Sequence, residues 1–144
     1  MICPFLFVQD CFFVSVSLLK HPELRGFPVA VTHAKGSDSS YSEIASCSYE
    51  ARSKGVKNGM FLGPALQVCP DLRTIPYDFD GYKRVARTLY DTVARYTLQI
   101  QAVSCDEMLV DLAEVLATTG TDPSVFAEVL RETLFFDHWY YWPT

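Results

Sequence analysis

The stretch QAVSCDEMLVDL, residues 101–112, decides how the chain is read. Two short apolar segments flank a polar knot, Ser104-Cys105-Asp106-Glu107, and the knot carries two adjacent acids. Neighbouring side chains of a regular strand point to opposite faces. Asp106 and Glu107 therefore serve one site only if the chain turns there. A hairpin between LQIQAVS and MLVDLA supplies that turn and sets both acids at the edge of a sheet. Two close carboxylates repel, and one keeps its proton unless a cation sits between them. Oxygen ligands favour magnesium, which takes one or two carboxylates and completes its shell with water and substrate phosphates. Taken bare, an acidic pair at a hairpin is more often a solvated turn, so the rest of the chain must decide.

Working outward, Tyr82, Val85, Ala86, Leu89, Val93 and Tyr96 form one apolar face of a long helix before the hairpin. After it, TDPSVFAEVLRETL opens a helix, with Thr121 or Asp122 as cap and Pro123 in the first turn. Upstream, Phe5 to Val8 predicts a buried strand. CFFVSVSLLK has helical spacing, although its β-branched and aromatic content also suits a strand. FPVAVTH predicts a buried strand and AKGSDSS a polar loop. EIASCSYEARSKG begins as a strand and becomes a short helix ended by Gly55. A second short helix in GMFLGPALQVCPDL and a short strand in RTIPYD complete the series. Strands and helices intermix, so the class is α/β or α+β.

Composition narrows the function. The 144 residues hold 49% hydrophobic and 20% charged residues, as in an ordinary globular domain. No apolar run approaches the ~20 residues of a membrane span. The apolar start, MICPFLFV, lacks the basic opening and small-residue cleavage site of a secretory signal. Cys3, Cys11, Cys47, Cys69 and Cys105 are odd in number and scattered, which suits reduced apolar residues of an intracellular protein. A formal net charge of −5 argues against this chain alone gripping a nucleic-acid backbone. Arg52, Lys54 and Lys57 are the nearest thing to a basic cluster. Read alone, Phe13 is core, Tyr49 a buried aromatic with a wet hydroxyl, and Arg52 an exposed helix residue.

Several stretches occur together and in order: DCFFVSV, PVAVTH, ASCSYEARSKGVKNGM, CPDLRTIPYDF and AVSCDEMLVD. From about Val8 to Leu130 this set closely resembles the Y-family translesion DNA polymerases, and SCDE with SYEARSKGVKNGM looks most like the deoxycytidyl-transferase branch. The resemblance implies a palm-like sheet with packed helices and a small fingers segment. It assigns residues 1–32 to the start of the palm, 33–78 to the fingers, 79–134 to the palm with its acids, and 135–144 to a divergent aromatic tail. It implies dCMP insertion opposite damaged or abasic template sites, with magnesium as cofactor and a damaged primer-template and dCTP as partners. It also implies a nuclear location, no membrane, and recruitment of other translesion polymerases through regions absent here. Asp106 and Glu107 match the family's metal-facing acids. Tyr49 and Arg52 match triphosphate contacts on one face of a helical turn, with Ser46 a further phosphate contact. Phe13 matches the residue that crowds a ribose 2′-hydroxyl. Cys11 and Phe12 match the turn whose backbone N–H groups approach the phosphates.

The chain also departs from the family. The family motif reads Asp-x-Asp-x-Phe-Phe, and here Val8 stands where the first, ion-bridging acid belongs; Asp10 matches the second. The ending LFFDHWYYWPT is unlike the family's continuation, and the branch's upstream segment is missing. Both ends lead us to expect a truncated gene model or alternative transcript, inactive alone. Two rival readings follow: a non-catalytic remnant that binds nucleotide or a partner, and a nucleotidyl cyclase, whose palm-like sheet also carries paired acids.

Overall fold

The computed structural model describes the backbone of residues 4–8, 10–33 and 40–139. Most of AKGSDSS and the last five residues of the aromatic tail lie outside the described residues. The chain forms two compact units, one of residues 10–82 and one of 1–9 with 83–144. Residues 10–32 fall in the same unit as the segment that follows them.

In the contiguous unit, α1 (Phe12–Ser17) precedes β2 (Val29–Thr32), which follows β1 (Pro4–Val8) of the other unit. Then come β3 (Ile44–Cys47), α2 (Tyr49–Ser53), α3 (Leu62–Val68) and β4 (Arg73–Ile75). The sheet order is β3-β2-β4, with β2 antiparallel to β3 and parallel to β4. Every residue of β2 is buried. Successive side chains go to opposite faces: Val29 and Val31 meet Val14 and Ile75, whereas Ala30 meets Ala51, Leu62 and Ala65. Helices cover both faces, which is why FPVAVTH is a continuous apolar run rather than an alternating one. The helical reading of CFFVSVSLLK holds over α1, where Phe12, Val14 and Val16 are buried. Tyr82 closes the unit. Its ring lies 4.7 Å from Phe13 and 5.9 Å from Phe12, and its hydroxyl is 3.0 Å from Ser17 Oγ.

The split unit holds β1, most of α4 (Phe79–Ala94), β5 (Ile100–Ala102), β6 (Glu107–Asp111), α5 (Ala113–Thr119) and α6 (Pro123–Trp139). The antiparallel sheet has the order β1-β6-β5, so β6 is central. Met108, Val110 and Leu112 are buried against Leu89 and Val93 of α4 and Phe126 and Leu130 of α6. β1 thus joins the β5–β6 hairpin in one sheet, with the long helix packed on it. Tyr96, just past the end of α4, packs edge-on to Phe126 at 5.2 Å. Asp122 caps α6 by accepting from Ser124 N at 2.8 Å. One expectation fails: β1 is an edge strand, and Leu6, opposite Leu109, is 61% exposed rather than buried. The helix α5 was not anticipated. Its seven residues are too few to show a period, and Asp111 starts it by accepting from Ala113 N at 2.9 Å.

Candidate active-site residues

The acids lie on the expected hairpin, Asp106 in its turn and Glu107 as the first residue of β6. β5 ends at Ala102 and β6 starts at Glu107, leaving Val103, Ser104, Cys105 and Asp106 as the turn. Asp106 and Glu107 are both half-buried. Ser104 Oγ donates to Asp106 Oδ1 at 2.6 Å. Tyr90 of α4 donates from Oη to the Ser104 and Glu107 carbonyls at 2.8 and 3.1 Å. Val8 is the strand partner of Glu107, so the position where the family carries another acid lies beside the acidic turn.

Magnesium suits this donor set in chemistry: two hard carboxylates, partly open to water, neither ion-paired with a basic side chain among the described residues. It suits it less well in number. No group of three or more potential His, Cys, Asp or Glu ligands exists among the described residues. Valine at position 8 adds no oxygen. Asp106 and Glu107 would hold the ion, with water and phosphate oxygens for the rest of its shell.

The other candidates belong to the contiguous unit. Cys11 sits at φ 49°, ψ 39°, the left-handed region, at the entry to α1. That conformation costs a non-glycine residue roughly 1–2 kcal/mol, so tertiary packing must hold it. Phe12 is buried, so only its backbone can meet a ligand. Phe13 is half-buried, its ring flanked by Phe12, Tyr82 and Tyr77. Ser46 is only 4% exposed, within β3. Tyr49, by contrast, is 58% exposed. The neighbouring Asp10 carboxylate, with lesser desolvation, pushes its phenol above the ordinary pKa. Arg52 stands over the Tyr49 ring, 5.5 Å from its centroid. Its Nε donates to the Cys47 carbonyl at 3.1 Å, which anchors the stem.

Two residues that position these groups escaped the sequence reading. Ser48 caps α2: its Oγ accepts from Ala51 N at 3.3 Å and Val29 N at 3.1 Å and donates to the Phe27 carbonyl at 3.3 Å. A serine immediately before a short helical run was the available signal. Tyr90 is the other. It lies one residue off the apolar stripe of α4, and its hydroxyl meets backbone carbonyls, which no side-chain pattern reveals. Burial pushes the thiols of the four described cysteines, Cys11, Cys47, Cys69 and Cys105, up, away from the reactive thiolate.

The family profile described as impB/mucB/samB matches residues 8–136. The chain belongs to this Y-family of DNA polymerases. It is 46% identical over 171 aligned positions to "DNA repair protein Rev1" of Drosophila melanogaster, covering 88% of this chain and 17% of the relative. It is 38% identical over 127 residues to "DNA polymerase IV" of Shewanella woodyi, covering 88% of this chain and 34% of the relative. Among solved structures, the "insertion ternary complex of Dbh DNA polymerase" superposes with a TM-score of 0.80 at 25% identity, over 94% of this chain and 39% of that one. The chain thus spans about a third or less of these curated Y-family relatives.

Proposed function

We propose that the chain is part of a deoxycytidyl transferase that inserts dCMP opposite damaged or abasic template positions during translesion synthesis. The observation that carries this reading is the acidic turn: Asp106 and Glu107 on a hairpin whose neighbouring strand brings position 8 opposite Glu107. Likeness to Rev1 and the wording SCDE and SYEARSK support the dCMP branch over a general polymerase. We assign the split unit to the palm and the contiguous unit to the fingers and the turn leading into them.

In this reading Asp106 and Glu107 would hold magnesium, whose charge would offset the charge that develops on the phosphoryl group as pyrophosphate leaves. Arg52 binds the triphosphate through its planar donor fork, and Tyr49 adds a hydroxyl to the same phosphates. The half-buried Phe13 ring, wedged against Tyr82, resists displacement by a ribose 2′-hydroxyl and so selects deoxynucleotides. The backbone at Cys11 and Phe12 approaches phosphate, with Ser46 a further contact. The whole protein acts in the nucleus on primer-template DNA and dCTP, and meets other translesion polymerases through regions beyond this segment.

Val8 favours a second reading, a segment that binds nucleotide without transferring it. A missing ion-bridging carboxylate removes several kcal/mol of charge stabilisation, and each ~1.4 kcal/mol is tenfold in rate. Primer extension with dCTP and magnesium opposite an abasic site tests both. The unmodified chain should be slower by roughly a thousandfold or more than a full-length protein carrying this segment with Val8→Asp. Robust incorporation by the 144-residue chain would overturn the inactivity. A restored protein with no preference for dCTP would overturn the branch assignment, and dCTP binding without turnover in either form would establish the second reading.

A further inference from the structure

We propose that Tyr90 is a positioning residue for the acidic turn, its hydroxyl latching the turn's backbone so that Asp106 and Glu107 are held ready for a divalent cation. This rests on the reading of those two residues as metal-facing acids.

The latch is defined by its atoms. Tyr90 Oη donates to the carbonyl of Ser104 at 2.8 Å and, in a longer second branch, to that of Glu107 at 3.1 Å. These two carbonyls bracket Cys105 and Asp106. The Glu107 carbonyl also accepts from Val103 N at 3.1 Å and Ser104 N at 3.0 Å, so three donors converge on one oxygen and close the turn. Ser104 is then gripped at both ends: its carbonyl by Tyr90, its hydroxyl donating to Asp106 Oδ1 at 2.6 Å. Position passes from the tyrosine through the serine to the carboxylate.

The fixed end of the latch is firm. Leu89, beside Tyr90, and Val93, a turn further on, are buried against Met108 and Val110 of the strand that leaves the turn. Tyr90 therefore measures the turn against the sheet it belongs to. The turn has no glycine or proline to fix its shape, so the hydrogen bonds must do so.

The test uses the 144-residue chain and Tyr90→Phe, which keeps the ring and deletes the hydroxyl. Backbone amide exchange at 103–107 should quicken about two- to tenfold, the worth of one hydrogen bond, while exchange in the cores of α4 and α6 stays as before. Manganese(II), the paramagnetic probe, should bind more weakly by a similar factor in a titration without nucleotide. Ser104→Ala gives an independent check. It cuts the link to Asp106 but leaves Tyr90 in place, so it should weaken Mn2+ binding without the full Tyr90→Phe effect on exchange. Unchanged turn exchange in Tyr90→Phe overturns the proposal. So does a uniform acceleration across the whole unit, which would make Tyr90 a packing residue only. If the unsubstituted chain shows no saturable Mn2+ binding, the metal reading falls and exchange alone still decides the latch.

Discussion

Asp10 and Tyr49 show how one neighbouring carboxylate bears on the state of a candidate phosphate contact. The Asp10 carboxylate is the largest influence on the Tyr49 phenol. It favours the protonated phenol, so the folded pKa lies above the unfolded value. The linked stabilisation is full below the ordinary tyrosine range and is lost as pH rises through the folded value. Asp10→Asn should move the Tyr49 titration downward, read as tyrosinate absorbance against a Tyr49→Phe reference. An unmoved titration would remove Asp10 as the cause of the shift. Arg52 makes the complementary case, since its Nε bond to the Cys47 carbonyl fixes where the guanidinium can reach. Arg52→Lys, which keeps the charge but has no Nε and no fork, should weaken dCTP binding by about tenfold, roughly one charged hydrogen bond. Equal affinity by titration calorimetry would remove Arg52 from the triphosphate site.

At the scale of elements, α2 exists because Ser48 ends β3's exit and starts the helix. Five residues cannot sustain a helix by propensity alone. Ser48→Ala removes the cap and also strips the buried Val29 N–H of its acceptor. The expected loss is about 2 kcal/mol, from a cap and a buried donor together. Urea denaturation reads it, and an unchanged midpoint would refute the role. The elements that could be read from sequence were those whose burial is written as a period or a run: α4 by its stripe, β2 by its unbroken apolar residues, the β5–β6 hairpin by its polar interruption. Those that could not were governed by partners far along the chain. Leu6 looks buried from its neighbours, but exposure there depends on β1 lying at a sheet edge. α5 is one and a half turns and leaves no periodic trace. The candidate residues became legible only through the ordered motifs, because Tyr49, Arg52 and Phe13 are individually ordinary. Tyr90 and Ser48 stayed hidden because a bond to a backbone carbonyl or amide leaves no mark on the partner's identity.

On the scale of the molecule, charge and connectivity matter most. With 12 Lys and Arg against 17 Asp and Glu, the chain should bind duplex DNA no more tightly than the weak end of non-specific binding, about 10⁻⁴ M at physiological salt. Fluorescence anisotropy with a labelled primer-template checks this; saturation near 1 μM would reveal a concentrated basic face. No helix among the described residues is long and apolar enough to cross a membrane. Connectivity has a further effect through Tyr82. Val8 and Glu107 pair across about a hundred residues, and closing a loop of that length costs about 4 kcal/mol of chain entropy. Yet Phe12 and Phe13 meet Tyr82, so the contiguous unit brings its own first and last residues together. As the nascent chain leaves the ribosome, that unit can fold first and act as a buckle, shortening the loop about fourfold and lowering the closure cost by about 1.2 kcal/mol. Until β6 emerges, Pro4–Val8 waits as an unpaired apolar strand, open to pairing with any other chain that offers an edge.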